Sequence, residues 1–252
     1  MKLLLDLGNT RLKWALSDAQ GTIGRVTALA WDTAQFETHL ASVLAALPVI
    51  ETAWLATVAA PSRERQVRQA LAAAGIAVQA VQAAAQVCGV HLAYADPARL
   101  GVDRMLALVA AQAAGQSPCV VASAGTALTL DALTDGGVHL GGLIVAGPAL
   151  MQQALRGAAA RVQPLHEGRP DWFARNTEDA LAGGAWLAAA ALTERFCEQF
   201  ALQTGRTAAL LLTGGDAAAL AEVLGRSATL WPDAVLRGLA QYAQSQAGGA
   251  AA

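Results

Sequence analysis

Two segments of the sequence combine a carboxylate with residues suited to binding phosphate. The first, Asp6–Thr10, reads Asp-Leu-Gly-Asn-Thr and directly follows an apolar run at Leu3–Leu5. Gly8 would let the backbone approach phosphate oxygens closely, the following Asn and Thr add hydrogen-bond donors, and Lys13 could supply a cation. Asp6 could hold Mg²⁺ directly or through water. The alternative is an ordinary hairpin in which the Asp and Asn serve the turn.

The second segment begins at Tyr94 and ends in the run Gly101–Arg104, which leads into an amphipathic helix at Met105–Ala114. Asp103 and Arg104 would then lie at or near a helix N-terminus, where backbone amides favour anions. A phosphoryl group could be stabilised there while the carboxylate accepts a proton from an alcohol. The alternative is that Asp103 is a plain N-cap.

A third segment, Ser123–Ala127, repeats the pattern of the first in the second half of the chain. Gly125 would leave backbone amides accessible to phosphate oxygens, and Thr126 could contribute a hydroxyl. Two such turns could grip a triphosphate from both sides. A Gly pair in Thr213–Asp216, between an apolar run and a helix, could lie against an adenine, although such pairs are common at strand–helix junctions.

The elements around these segments predict an α/β fold of two similar halves. In both halves an apolar strand ends at the small-residue turn, and a second strand, a hairpin signal and a third strand follow. P-loop and Rossmann turns lead into a helix instead, so both folds are disfavoured. We therefore predict a mixed sheet with flanking helices in each half, and domains at residues 1–115 and 116–252.

The remaining predicted elements are Ala/Leu-rich helices and two short buried strands. The helices are Gln35–Leu47, Pro61–Ala74, Asp103–Ala114, Ala146–Ala159, Thr177–Gln203 and Asp216–Leu224. The strands are Ala53–Thr57 and Ala208–Thr213. The Gly/Ala-rich tail after Gln241 is predicted to fray.

Composition excludes several classes of function. A net charge of -2 with 14% charged residues offers no basic face for nucleic acid or an anionic membrane. The apolar N-terminal run ends at Asp6, too early for a signal peptide, and no apolar stretch reaches the roughly 18 residues of a membrane span. The three cysteines, Cys88, Cys119 and Cys197, are interpreted as free thiols in a reducing cytoplasm. The four histidines are given no role.

In order and spacing, these motifs resemble those of the type III pantothenate kinases, which belong to the superfamily of acetate and sugar kinases, Hsp70 and actin. The resemblance covers nearly the whole chain. It rests on Asp6–Thr10, Gly101–Arg104, Gly125–Ala127, Asn176–Thr177 and Thr213–Gly215, with Tyr-x-x-Pro ahead of Gly-x-Asp-Arg. It implies an actin-like (ribonuclease H-like) ATPase fold in each half. The implied activity is ATP-dependent phosphorylation of pantothenate to 4'-phosphopantothenate, the entry to coenzyme A.

The resemblance also implies roles for individual residues. The implied ATP-binding residues are Asp6, Leu7, Gly8, Asn9, Thr10, Arg11, Leu12, Lys13 and Thr126, with Asp6 acting on Mg²⁺ through the phosphates. The implied pantothenate-binding residues are Tyr94, Gly101, Val102, Asp103, Arg104 and Thr177, with Asp103 as the catalytic base. Members are homodimers, so the helix Thr177–Gln203 is a candidate interface.

The sequence departs from the family at Ser123. The family usually has an Asp there that ligates K⁺ or NH₄⁺, and a neutral hydroxyl makes a weaker site, which puts the need for such a cation in doubt. Asp131 could compensate; alternatively, it is a polar residue on the solvent face of a strand.

Two rival functions remain open at this point. The first is another small-molecule kinase of the same superfamily, against which Tyr94 and Gly101–Arg104 argue. The second is a catalytically idle nucleotide-binding regulator, which would not need Asp6, Asp103 and Arg104 together. An actin-like filament protein is excluded because the chain is too short for the extra subdomains.

Overall fold

A computed structural model describes residues 1–32, 35–50 and 52–249. The chain divides into two compact units. Unit 1 contains Met1–Gly115 and the segment from Asp233 onward, and unit 2 contains Gln116–Pro232. The predicted boundary at residue 115 matches the end of the first segment of unit 1. The second half, however, was predicted to run to residue 252, whereas its last helix belongs to unit 1.

Unit 1 is built on a five-stranded sheet in the order β3-β2-β1-β4-β5. Its main strands are β1 (Lys2–Leu7), β2 (Arg11–Ser17), β3 (Thr27–Ala30), β4 (Thr52–Thr57) and β5 (Ala77–Ala80). A small hairpin follows, formed by β6 (Gln86–Val87) and β7 (Val90–His91). The helices are α1 (Phe36–Ala46), α2 (Pro61–Ala73), a 3₁₀ turn (Pro97–Arg99), and α3 (Val102–Ala113).

Successive side chains of β1 lie on alternate faces of this sheet. Leu3, Leu5 and Leu7 pack into the apolar core that also contains residues of α1 and α2. Side chains of a strand alternate between faces, so Leu4 and Asp6 lie on the opposite one. The carboxylate of Asp6 is therefore placed on the face away from that core.

Unit 2 has a second five-stranded sheet with the same arrangement, in the order β10-β9-β8-β11-β12. Its strands are β8 (Cys119–Ala124), β9 (Ala127–Leu133), β10 (His139–Ala146), β11 (Ala209–Thr213) and β12 (Thr229–Leu230). Its helices are α4 (Pro148–Ala158), α5 (Thr177–Thr204) and α6 (Ala217–Val223). In both sheets the first strand pairs with the second antiparallel and with the fourth parallel. The predicted α/β class and mixed sheets are confirmed.

The last helix, α7 (Ala234–Gly249), packs against α3 and β1 of unit 1. Leu236, Leu239 and Ala243 are fully buried. Gly238 lies so close to the backbone of Leu106 that a side chain would collide with its carbonyl. The expected fraying after Gln241 is therefore wrong as far as Gly249, and residues 250–252 lie outside the described residues.

The cysteines match the interpretation as free thiols. Cys119 and Cys197 are buried, and burial raises the pKa of the Cys119 thiol to about 12. Among the described residues, no helix is long and apolar enough to cross a membrane.

Candidate functional site

Trp31, which lies outside the sequence motif, holds the turn after β1 in place through two hydrogen bonds. Trp31 Nε1 donates to the carbonyl of Gly8 at 2.8 Å, and the Trp31 amide donates to the carbonyl of Thr10 at 3.3 Å. Within the turn, the Gly8 amide donates to Arg11 O at 3.1 Å. Asn9 and Thr10 are exposed at its tip. The turn is thus rigid at its base and open where a ligand would approach.

Charged side chains gather beside this turn on the face of β1 that carries Asp6. Lys13 lies directly opposite Asp6 in the β1–β2 register. Its Nζ is 3.3 Å from Oδ1 of Asp233, the residue before α7. Asp103, in the first turn of α3, is close enough to act electrostatically on Asp6. The fold therefore brings Asp6, Lys13 and Asp103 together as the motifs predicted, and it adds Asp233.

This environment shifts the acidity of Asp6. Burial is the largest cause, and the negative charges of Asp103 and Asp233 act in the same direction, while Lys13 opposes them. Together they raise the pKa of the Asp6 carboxyl to about 7. A carboxyl whose pKa is strongly raised by burial and by neighbouring charges is a common feature of functional sites.

The charge balance of this group suits a divalent cation. Three acidic side chains and one ammonium interact in this group, so it carries excess negative charge. Yet within the described ranges no three acidic, histidine or cysteine side chains are placed to hold a metal by themselves. Mg²⁺ commonly binds one or two carboxylates and completes its shell with phosphate oxygens and water. Asp6 fits that mode, in which the nucleotide brings most of the ligands.

Asp103 is not the N-cap of α3. The cap position is Gly101, and Asp103 is the second residue of the helix. Its Oδ1 accepts from the Arg104 amide at 2.9 Å, which fixes the carboxylate at the helix N-terminus. The interpretation of Asp103 as a plain cap is therefore wrong.

Arg104 and Tyr94 form a pair next to this carboxylate. Arg104 is buried, its Nη1 donates to the Tyr94 hydroxyl at 3.1 Å, and its guanidinium lies 5.9 Å from the centre of the tyrosine ring. The 3₁₀ turn between them is capped by Asp96, whose Oδ1 accepts from the Ala98 amide at 3.1 Å. This turn connects Tyr94 to the start of α3. Tyr94, Asp103 and Arg104 are thus brought together as predicted.

In unit 2 the corresponding turn follows β8. The Gly125 amide donates to Ala127 O at 3.1 Å, and the Thr126 side chain is exposed. Two neighbouring glycines touch the backbone of this turn: a side chain on Gly147 would collide with Gly125 O, and one on Gly214 with Ala124 O. Gly147 and Gly214, the latter in the region proposed for adenine, therefore pack directly against the backbone of this turn.

Ser123 lies among neutral hydroxyls. Its register neighbours are Thr129 on β9 and Thr213 on β11, which place three hydroxyl residues side by side across the sheet. Hydroxyls attract a monovalent cation only through their dipoles, so this donor set fits K⁺ poorly compared with a carboxylate.

Asp131 is not on the solvent face. It is only 2% exposed, and its Oδ1 lies 3.0 Å from Nε2 of His139, which is also buried. No role was predicted for His139, because its spacing in the sequence does not indicate that Asp131 is its partner. With its carboxylate engaged by the histidine, Asp131 is less suited to replace the missing cation ligand.

Thr177 is the first residue of α5 and is exposed. The helix start is held by Asn176, whose side chain accepts from the Asp179 amide at 2.7 Å. Asp179 in turn accepts from the Arg169 amide, and Glu178 from the Leu165 amide, so the preceding segment is tied to the first turn. These bonds lower the pKa of both carboxyls.

A family model for type III pantothenate kinase matches residues 2–199. The chain belongs to the type III pantothenate kinase family. It is 43% identical over 240 residues to the type III pantothenate kinase of Xylella fastidiosa, covering 95% of this chain and 96% of that one. It is 38% identical over 247 residues to the type III pantothenate kinase of Aromatoleum aromaticum, covering 98% and 99%. The predicted family and its phosphotransferase class are confirmed.

Solved structures of distant proteins share the fold of this chain. One, from Campylobacter jejuni and described as a Baf family transcriptional activator, has a TM-score of 0.59 at 19% identity, covering 98% and 99% of the two chains. Another is the activator of 2-hydroxyisocaproyl-CoA dehydratase from Clostridium difficile with bound ADPNP. It has a TM-score of 0.54 at 11% identity, covering 99% and 96%. These likenesses concern the fold alone.

Proposed function

We propose that this protein transfers the γ-phosphoryl group of ATP to the primary alcohol of pantothenate, yielding 4'-phosphopantothenate for coenzyme A synthesis. The observation that supports it most is the position of Asp103, in the first turn of α3 and beside both Asp6 and the Arg104–Tyr94 pair. The relatives that carry this name match over nearly the whole chain.

Asp103 is the base in this mechanism. Phosphoryl transfer passes through a loose transition state, so most of the catalysis comes from alignment and charge neutralisation. The carboxylate orients the pantothenate hydroxyl and accepts its proton late in the reaction. The bond from the Arg104 amide keeps the carboxylate in place for this.

The substrate is held by the residues around the base. Arg104 binds substrate or phosphoryl oxygens, and its contact with Tyr94 keeps the guanidinium fixed. Gly101 and Val102 belong to the same segment. In unit 2, Thr177 is the further pantothenate contact that the family resemblance implies, and it is exposed.

The nucleotide is bound by Asp6–Lys13 and by Thr126. Gly8 and the tip of its turn approach the phosphates, Lys13 contributes its ammonium, and Asp6 acts on the metal that accompanies ATP. When bound, Mg²⁺ would neutralise phosphate charge. Because Ser123 and its neighbours are uncharged, we propose that the enzyme responds only weakly to K⁺ or NH₄⁺.

We further propose a cytoplasmic homodimer that binds neither nucleic acid nor membranes. Unit 2 exposes large apolar side chains on β10, α4 and the segment before α5, and we name this set the unit 2 apolar surface. It comprises Leu143, Ile144, Leu155, Leu165, Trp172 and Phe173. Exposed apolar side chains in such numbers are typical of an interface, and Trp172 and Phe173 are close in sequence to the start of α5, the interface expected from the sequence.

The deciding experiment is a coupled assay that follows ADP release with pantothenate and with a panel of sugars and carboxylic acids. Mass spectrometry identifies the phosphorylated product. We expect turnover with pantothenate alone. Turnover of a sugar or acid instead would identify another small-molecule kinase, and nucleotide binding without any turnover would identify an idle regulator.

Substitution of the base tests the mechanism. Asp103→Asn keeps the shape of the side chain but cannot accept the proton, so we expect kcat to fall about 10²–10⁴-fold while the affinity for ATP is retained. Asp135→Asn, which breaks an exposed surface pair with Arg206, is the control and should be silent. Activity of Asp103→Asn within about threefold of the parent would contradict this role.

A further inference from the structure

Asp233 lies 220 residues from Lys13 in sequence, yet it is its ion-pair partner. Lys13 Nζ is 3.3 Å from Asp233 Oδ1, and both side chains are about three-quarters buried. Within the described residues, Asp233 is the carboxylate within salt-bridge distance of Lys13, whereas Asp6 experiences the ammonium only at longer range.

The register makes this arrangement unexpected. Lys13 and Asp6 are directly opposite on adjacent antiparallel strands, where opposite charges commonly pair. Asp233 competes for the ammonium from outside the sheet. It draws Lys13 away from the cross-strand contact that the two strands would otherwise favour.

Asp233 adopts a backbone conformation that few residue types other than glycine adopt. Asp233 has φ 57°, in the left-handed region, where glycine is accommodated best and asparagine and aspartate are tolerated. Its carbonyl accepts from the Arg237 amide at 3.0 Å, in the first turn of α7. Glycine and asparagine can adopt the same conformation, so the carboxylate can be removed without changing the backbone.

We propose that Asp233 is a positioning residue that holds the Lys13 ammonium apart from Asp6, leaving Lys13 free to meet phosphate oxygens and Asp6 free to serve the magnesium of Mg·ATP. This inference rests on the proposed function only insofar as unit 1 binds a nucleotide. Without Asp233, Lys13 would pair with Asp6, and the two groups that should act on the nucleotide would neutralise each other.

Two substitutions distinguish the effect of the Asp233 carboxylate from the effect of its backbone conformation. Asp233→Gly keeps the left-handed conformation and removes the carboxylate, and Asp233→Asn keeps a neutral acceptor in the same conformation. By calorimetric titration we expect Mg·ATP affinity to fall about tenfold in Asp233→Gly and about threefold in Asp233→Asn, with thermal stability maintained. Asp135→Asn again serves as the control. Unchanged affinity in both variants would overturn the proposal.

The Lys13→Gln background tests whether Asp233 acts through Lys13. A positioning role disappears when the ammonium is absent, so Asp233→Asn should then cause no further loss of Mg·ATP affinity. If the full loss persists in Lys13→Gln, Asp233 has a different role and the proposal is wrong. Because the readout is nucleotide binding, it stays decisive even if the parent fails to phosphorylate pantothenate, which would refute the proposed function separately.

Discussion

The Asp6 carboxyl lies where its neutral form is favoured. Its pKa is raised to about 7 in the fold, against 3.8 for an ordinary Asp. Between these values the folded state binds a proton that the unfolded chain has released, so stability falls as pH rises through this window, and the loss is complete above pH 7.

Asp6→Asn should therefore stabilise the nucleotide-free protein at high pH. We expect a gain on the order of 1–3 kcal/mol at pH 8, and almost none below about pH 3, where the carboxyl is protonated in both states. Thermal denaturation at a series of pH values measures this gain. The same variant should lose ATP-dependent activity. A gain independent of pH would show that ionisation of Asp6 is not the cause.

Gly125 is a glycine that the fold itself does not require. Its φ is outside the left-handed region, and a side-chain methyl would meet no atom within 4 Å. Gly214, in contrast, has φ 95° and lies against the backbone of Ala124. We therefore expect the glycine at 125 to serve a ligand and the glycine at 214 to serve packing.

The matched pair Gly125→Ala and Gly214→Ala tests this distinction. Gly125→Ala should change stability by less than about 0.5 kcal/mol and raise the KM for ATP about tenfold, because a methyl would displace a phosphate from the backbone. Gly214→Ala should destabilise the protein by more than about 2 kcal/mol. Thermal melts and ATP titrations in the kinase assay provide both readouts. An unchanged KM in Gly125→Ala would mean that no phosphate approaches there.

Local residues of the site were predictable, and distant ones were not. Asp6, Asp103 and Arg104 stand in short motifs whose spacing places them on a strand end or a helix start. Asp233 and Trp31 join the site only through tertiary packing, so no local pattern signals them. The pairing of Asp131 with His139 was missed for a similar reason, because β10 brings the histidine back beside β9.

Among the elements, those with a strong apolar period were predicted to within about two residues at each end. The errors fall at elements whose structure depends on a partner. β5 and β12 are short edge strands with little pattern of their own. The Gly/Ala-rich sequence of α7 is typical of a tail that frays. In the structure, however, the helix is stabilised by packing against α3 and β1.

Ser123, at the end of β8, is the residue that we expect to set the response to monovalent cations. Ser123→Asp would place a carboxylate between Thr129 and Thr213, and we expect it to create activation by K⁺ over Na⁺. The parent should respond weakly to either ion. Assays at constant ionic strength separate specific binding from screening. Absolute dependence of the parent on K⁺ would show that other oxygens complete the site.

At the scale of the whole molecule, the unit 2 apolar surface should determine the oligomeric state. Ile144 is 61% exposed on β10, an edge strand, and Trp172 and Phe173 are 73% and 88% exposed. We expect the parent to sediment as a dimer and Ile144→Asp as a folded monomer, because a buried unpaired carboxylate is costly at an interface. Val49→Asp, at a residue of unit 1 that is 95% exposed, is the control. A dimer in Ile144→Asp would place the interface elsewhere.

The return of the chain to unit 1 at Asp233 has a consequence for biosynthesis. Unit 2 is continuous in sequence, so it can fold as soon as it has left the ribosome, whereas unit 1 must wait for α7, which is translated after all of unit 2. Until then the face of α3 that packs against α7 stays uncovered in the nascent chain, and Asp233 has not yet reached Lys13. A ribosome stalled within unit 2 would therefore carry a first segment with an exposed apolar helix, a natural target for chaperones.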